Sequence, residues 1–321
     1  MPHSKEQLHT FAELLKQGEL VVFPTETVYG LGASAWNPRA VQKIFEVKGR
    51  PSDNPLIVHI SNVDMVKEFT PSVSARAKLL MQKFWPGPLT LVFNKRPEVP
   101  DIVTAGMNTV ALRMPNHPTA LALIQLSGPL VAPSANKSGR PSPTRPEHIY
   151  ADYQRKLPVI DGGICDIGIE STVLDLTVNP PVILRPGNIT ASDIYEACGF
   201  TPTDGSDTKA EAPKSPGMKY THYAPKAKVR WFSTGELSAV DEPALVLCHT
   251  SEPKMPPAAT GLFWRGDYPG FARELYDTFR KADRDGFDLI LVEEFEPEQL
   301  AGNERLLSLV NRISKAAGPG S

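Results

Sequence analysis

KGRPSDNPLIVHI, residues 48 to 60, sets two cations, Lys48 and Arg50, and two prolines, Pro51 and Pro55, around the polar triplet Ser52-Asp53-Asn54, then closes on an apolar run. That run, LIVHI, is rich in β-branched side chains and ends at Ser61-Asn62, which predicts a buried strand with the cations on the loop that enters it. Proline fixes φ and biases the residue before it toward extended geometry, so less entropy is lost when Lys48, Arg50 and Asn54 converge on one ligand. A paired Lys and Arg suits an anion, phosphate or carboxylate. The same residues also suit a solvated basic turn. His59, inside an otherwise apolar strand, needs a partner for its imidazole, either a ligand or an internal group.

Upstream, Asn37-Pro38 reads as N-cap and N1, and Val41, Ile44 and Phe45 give the buried face of a helix that delivers Lys48 to the loop. LVVF, 20 to 23, predicts a strand running into PTETVYGLG, 24 to 32. That segment offers hydroxyls at Thr25, Thr27 and Tyr29, a carboxylate at Glu26, and close backbone approach at Gly30 and Gly32. Read as a strand-to-helix connection, it is either a ligand loop of an open α/β sheet or a plain link. Before it, the capping-box pattern Ser4-x-x-Gln7 and apolar Leu8, Phe11, Leu14 and Leu15 predict a helix that stops at Gly18.

Downstream, two helical patterns precede WPGPLTLVF, 85 to 93, a turn and strand. VALRM, 110 to 114, predicts a strand that places Arg113 on the face opposite Leu112. After a helix at 117 to 127, the strand LVA leads into PSANKSGRPSPTRP, a loop of hydroxyls, an amide and cations that suits phosphate or stands as a solvated loop. A strand begins near Ser171-Thr172, VILRPG carries Arg185 into a turn, and a helix from Thr190 to Cys198 ends at Gly199. TPTDGSDTKAEAPKSPG then reads as a linker, whereas MKYTHYAP, with two tyrosines and a histidine, predicts docking as a lid over a ligand or as glue between domains. From residue 227, strand patterns alternate with helical ones, which predicts a small three-layer α/β domain.

The bulk properties agree with two globular domains: 321 residues, 41% hydrophobic, 22% charged, net charge -2. No strong basic excess marks a nucleic-acid-binding domain. Cys165, Cys198 and Cys248 stand far apart without metal-site spacing. No stretch reaches membrane-spanning length and MPHSKEQLHTF lacks a signal-peptide core, so a cytoplasmic protein without membrane contact is expected. Phosphate-binding glycine loops, H-E-x-x-H and G-x-S-x-G are absent from the sequence, leaving cations, hydroxyls and amides on loops.

PTETVYGLG, KGRPSDNPLIVHI, TVALRMPNHP, PSANKSGRPSPT, ESTVLD, ILRPG and GMKYTHYAP, in this order over residues 20 to 226, together resemble the YrdC-like family, in its long two-domain threonylcarbamoyl-AMP synthase form. The resemblance implies an α/β fold: a twisted mixed sheet with helices and a concave ligand face over residues 1–200, a linker or lid at 201–226, and a Rossmann-like domain at 227–321. It implies that L-threonine, bicarbonate and ATP with Mg2+ give L-threonylcarbamoyladenylate and pyrophosphate, and that the product passes to a partner that modifies adenosine 37 of tRNAs reading codons that start with A. By motif position, Thr27, His59, Arg113, Ser134 and Ser171 are implied to contact threonine, and Arg50, Asn54, Thr109, Asn136, Thr144, Arg185 and Tyr223 the nucleotide. Lys48 and Arg50 are implied to hold the carbamate against the α-phosphate. No protein metal ligand is implied. Two other roles share the fold: a double-stranded-RNA-binding module with weak RNA contact, and a carbamoyltransferase domain, which would bring zinc-finger modules that this chain lacks.

Overall fold

The computed structural model describes residues 5–205, 223–233, 237, 240–250 and 252–318. Ser4 of the expected capping box, and residues 206–222 of the linker with Tyr220 and His222, lie outside the described residues. In chain order the first part contains α1 (Lys5–Lys16), β1 (Val21–Phe23), β2 (Gly30–Ser34), α2 (Pro38–Lys48), β3 (Ile57–His59), α3 (Val66–Phe69), α4 (Ala75–Phe84), β4 (Leu89–Asn94), α5 (Asp101–Thr104), β5 (Thr109–Arg113), α6 (Pro118–Ser127), β6 (Leu130–Val131), α7 (Pro146–Tyr153), β7 (Thr172–Asp175), β8 (Val182–Arg185), α8 (Ala191–Cys198) and β9 (Thr203–Asp204). The second part contains β10 (Lys228–Phe232), β11 (Ala244–Cys248), β12 (Ala259–Phe263), α9 (Tyr268–Asp285), β13 (Leu289–Glu293), α10 (Pro297–Gly302) and α11 (Leu306–Ala317).

The first nine strands form one mixed sheet in the order β1-β2-β6-β3-β5-β4-β7-β8-β9. β3 and β5 run parallel with Val58 opposite Leu112 and His59 opposite Arg113. Because side chains alternate along a strand, Val58 and Leu112 enter the main core with Ile44 and Phe45 of α2, while His59 and Arg113 look out from the other face. α1 and α6 cover one end of that second face, packing Leu15 and Leu123 around Val21, Phe23 and Leu130. The rest of it is the concave floor of a cavity.

α2 forms where the sequence predicts. Asn37 accepts hydrogen bonds from the Arg39 and Ala40 amides, both at 3.1 Å, and Pro38 fills the first turn. Gly49 takes φ 61°, closes the helix in the left-handed region, and turns the chain toward Arg50. PTETVYGLG does not run straight to that helix: Gly30–Ser34 folds back on β1 as a hairpin, Val21 opposite Gly32 and Phe23 opposite Gly30. A Cβ on Gly32 would lie 2.9 Å from the Phe23 ring, so this glycine serves strand packing and not a ligand.

The second sheet is all parallel, ordered β10-β13-β11-β12. α9 and α11 share the face that meets the first domain, where Leu275, Phe279, Leu309 and Ile313 join Val28 and Ile169 in one core. Buried ion pairs cross this junction. Arg280 of α9 grips Asp152 of α7 with two hydrogen bonds, at 3.1 and 2.8 Å, and donates to the Pro141 carbonyl. Asp277 meets Arg145 at 2.8 Å and His148 at 3.0 Å.

Arg280→Ala leaves the Asp152 carboxylate buried without its guanidinium, so chemical denaturation of the full chain is expected to show a loss of about 3 to 5 kcal/mol. Asp152→Asn in the same background should restore part of it.

Candidate active site

The cavity on the concave face is lined by Thr25, Thr27, Tyr29, Arg50, Ile57, His59, Arg113, Ser134, Asn136, Arg140, Glu170, Ser171, Arg185 and Tyr223, among others. Among the described residues the lining holds four arginines and one carboxylate, with Arg113 and Arg140 each also paired to a carboxylate behind it, Glu26 and Asp283. Guanidinium groups present planar donor pairs that match carboxylate and phosphate oxygens, so the wall suits a polyanion.

Strand register supplies the first pair. Arg113 Nη2 lies 2.8 Å from Glu26 Oε2, both side chains nearly inaccessible, and Arg113 Nε donates to the Gly87 carbonyl at 3.3 Å. The Glu26 contact is short but poorly aligned for a hydrogen bond, so it holds mainly by charge. Burial pushes the His59 pKa down to about 3, helped by the Arg113 charge beside it. His59 is therefore a neutral imidazole, edge-on to Phe23 at 6.0 Å.

The turn at Thr25 to Val28 holds itself: Thr25 Oγ1 donates to Val28 O at 2.7 Å and lies 2.9 Å from Thr27 Oγ1. Tyr29 is tied by its phenol to Gly163 O and Gly162 N, at 2.7 and 2.9 Å. In the loop after β6, Ser134 Oγ donates to Asn136 Oδ1 at 2.6 Å, and Asn136 Nδ2 donates to the carbonyls of Lys137 and Arg140.

Lys48 fixes that loop from behind. Its ammonium donates to the carbonyls of Ser134 and Asn136, and Lys48 is not among the described residues that line the cavity, so in this structure it positions the loop. Burial, then the Arg50 charge, hold its pKa well below the usual lysine range. Arg50 does line the cavity, braced by its Nη2 against the carbonyls of Asn54 and Pro55 at 3.2 and 3.3 Å. Three more expected residues stand apart from the lining. Asn54 is buried, Thr109 opens β5 opposite Asn94, and Thr144 is fully buried with its amide donating to His148 Nδ1.

The remaining wall is built by Ser171, Arg185 and Tyr223. Arg185 donates from Nε to Ser171 O at 3.0 Å and from Nη2 to Ser171 Oγ at 3.1 Å, while that Oγ sits 2.8 Å from Thr90 Oγ1. Tyr223 is buried, with φ 67°, a conformation a tyrosine holds only when its surroundings demand it. Glu170 was not singled out by the sequence reading. It stands in an apolar stretch directly before Ser171, and two of its partners, Tyr276 and Arg312, come from helices more than a hundred residues away.

Residues 13–187 match the family described as "Telomere recombination", and residues 189–318 match "Threonylcarbamoyl-AMP synthase, C-terminal domain". Threonylcarbamoyl-AMP synthase of Bacillus subtilis is 43% identical, the alignment covering 97% of this chain and 93% of that one. Its Pyrococcus abyssi counterpart is 42% identical over 96% and 93%. The chain belongs to the threonylcarbamoyl-AMP synthase family. As a member of that family it is an enzyme, a nucleotidyl-type transferase. The crystal structure of P. abyssi Sua5 complexed with L-threonine superposes with a TM-score of 0.89 at 39% identity, covering 99% of this chain and 96% of that chain. The resemblance therefore extends through both sheets of this threonylcarbamoyl-AMP synthase family member.

A depressed histidine pKa stabilises the fold fully above the ordinary value near 6.5, and that stability is lost as pH falls toward about 3. Denaturation at a series of pH values should show His59 contributing a slope of about 1.4 kcal/mol per pH unit between those limits. His59→Phe should remove this contribution, and an unchanged slope in the variant would contradict the neutral imidazole.

Proposed function

We propose that the cavity condenses L-threonine, bicarbonate and ATP into L-threonylcarbamoyladenylate. The threonine nitrogen bonds to the bicarbonate carbon with loss of water, giving a carbamate. A carbamate oxygen then attacks the α-phosphorus, the bond from that phosphorus to the bridging oxygen breaks, and pyrophosphate leaves with the electron pair. Such a reaction needs one amino-acid carboxylate, one carbamate and a triphosphate held together, which is a problem of positioning and charge. The observation that carries the reading is the convergence of Arg50, Arg113, Arg140 and Arg185 on one cavity beside a neutral His59.

In this reading Arg113 receives the threonine carboxylate, with Thr27, His59, Ser134 and Ser171 around the rest of the amino acid. Arg50, Asn136, Arg185 and Tyr223 face the nucleotide. Arg50 holds the carbamate against the α-phosphate, and Lys48 keeps the 134–136 loop in place behind them. ATP enters as its magnesium complex. Among the described residues no three His, Cys, Asp or Glu side chains cluster as metal ligands, and the magnesium is assigned to the substrate. Bound to the phosphates, the ion shields their charge. The product, an acyl-adenylate that water hydrolyses, passes in the cytoplasm to a partner that transfers the threonylcarbamoyl group to tRNA adenosine 37. The P. abyssi structure with L-threonine supports L-threonine as the amino-acid substrate.

Release of pyrophosphate from ATP, with and without threonine and bicarbonate, tests the reading directly. Arg50→Ala should lower threonine-dependent turnover by about 10²- to 10³-fold, the cost of one donor lost from a charged transition state, with the melting curve intact. Turnover close to that of the wild type would remove Arg50 from the chemistry. Arg113→Lys should raise the KM for threonine more than that for ATP, because a point charge replaces a planar pair of donors. Equal changes in both constants would assign the carboxylate to another residue.

A further inference from the structure

Among the described residues Glu170 is the one carboxylate in the cavity lining, and most of what holds it comes from the C-terminal domain. Arg312 of α11 donates from Nε to Glu170 Oε2 at 2.8 Å, and Tyr276 of α9 donates its phenolic hydrogen to the same oxygen at 3.0 Å. From its own domain Glu170 receives Ser142 Oγ, at 2.6 Å on Oε1. All four side chains are buried. The same two C-terminal residues also grip Tyr223: its ring stacks on Tyr276 at 5.4 Å and 27°, and the Arg312 guanidinium lies 5.5 Å above it. Tyr223 in turn is hydrogen-bonded to Arg185.

Charge balance explains why this matters to the cavity. Burial would raise the Glu170 carboxyl, but Arg312 first and Arg185 second overcome it and hold the pKa at about 2. Arg312 is thus the leading neutralising charge, and it also donates to the carboxylate at 2.8 Å, while Arg185 keeps its hydrogen bonds to Ser171. Without Arg312, Arg185 would be the principal cation left for a buried carboxylate, and its guanidinium would be drawn off the face where it meets the nucleotide.

We propose that the C-terminal domain is a positioning element of the reaction: Arg312 and Tyr276 hold Glu170 and Tyr223 in the cavity wall and so keep Arg185 directed at the nucleotide. The proposal rests on the threonylcarbamoyl-adenylate reading above. A purely cohesive role for α11 makes a different forecast, because the same helix is preceded by Arg305, which bridges to Asp193 of α8 at 3.1 Å on the exposed rim of the junction, away from the cavity.

The test uses the full chain with Arg312→Met, Arg312→Lys, Tyr276→Phe and Arg305→Met, and follows pyrophosphate release while ATP and threonine are varied in turn. Arg312→Met is expected to raise the KM for ATP at least about tenfold while the KM for threonine stays within about twofold. Arg312→Lys should recover part of the loss, Tyr276→Phe should shift the ATP constant the same way by less, and Arg305→Met should leave both constants unchanged. The proposal is overturned if Arg312→Met and Tyr276→Phe keep the wild-type KM for ATP, or if Arg305→Met reproduces their effect. Should Arg312→Met fail to fold, Tyr276→Phe, which deletes one oxygen, decides the question. A wild-type chain without threonine-dependent release would instead refute the reaction itself, separating the two failures.

Discussion

Arg113, Arg185, Arg280 and Arg312 are all buried, and a guanidinium cannot shed its proton to escape the cost of leaving water. Each must find acceptors inside, and the chain is arranged around that need. Arg113 takes Glu26, Arg185 takes both oxygens of Ser171, Arg280 takes Asp152, and Arg312 takes Glu170. Removing water costs several kcal/mol per ion, which geometry this specific must offset. Such contacts are poor sources of net stability. What they contribute is definition, because few backbone arrangements satisfy all of them together.

Two of these pairs, Arg280 with Asp152 and Arg312 with Glu170, run between the two sheets, and this changes what the junction does. An apolar interface alone tolerates sliding. Here the core shared by Val28, Ile169, Phe279 and Leu309 is pinned by directional hydrogen bonds, so the C-terminal helices are held in register with the cavity. Gly168 shows how closely they approach: a Cβ there would lie 2.4 Å from the Arg273 Cα. The end of the linker is caught in the same grip, with Tyr223 at φ 67° between Tyr276 and Arg185. Its contacts make it both part of the cavity lining and part of the domain junction.

Local signals in the sequence carried much of this. The N-cap at Asn37, the stop at Gly49 and the alternation in VALRM depend on neighbours within a few residues, and those neighbours are visible in one dimension. The parallel pairing that sets His59 beside Arg113 joins strands fifty residues apart and leaves no local trace. PTETVYGLG is a ligand loop for most of its length, with Thr25, Thr27, Tyr29 and Gly30 in the cavity lining, but its second glycine reads as room for a ligand, whereas Gly32 yields its space to Phe23. Lys48 is a different case. A cation beside Arg50 reads as a second contact for the anion, and only the fold shows its side chain turned to the carbonyls of Ser134 and Asn136. α7 was not anticipated at all, since PEHIYADY carries a mixed pattern and finds its place through Asp152 and His148, whose partners lie on α9. Glu170 belongs to the same class: its meaning depends on Arg312, 142 residues away.

The Arg113–Glu26 pair has a consequence for how an amino acid could be accepted. An arginine waiting in a dry cavity with no anion would be unstable, and one fully satisfied by hydrogen bonds would have nothing to offer. Arg113 lies between these extremes, held at 2.8 Å from Glu26 by charge but without good hydrogen-bond alignment. An entering carboxylate can take the unfilled donor geometry while Glu26 continues to balance the charge from the far side. The ammonium of a zwitterionic amino acid then meets a wall in which one arginine is already compensated, which lowers the repulsion it would otherwise face. His59, kept neutral by burial and by Arg113 itself, adds no further positive charge at this point.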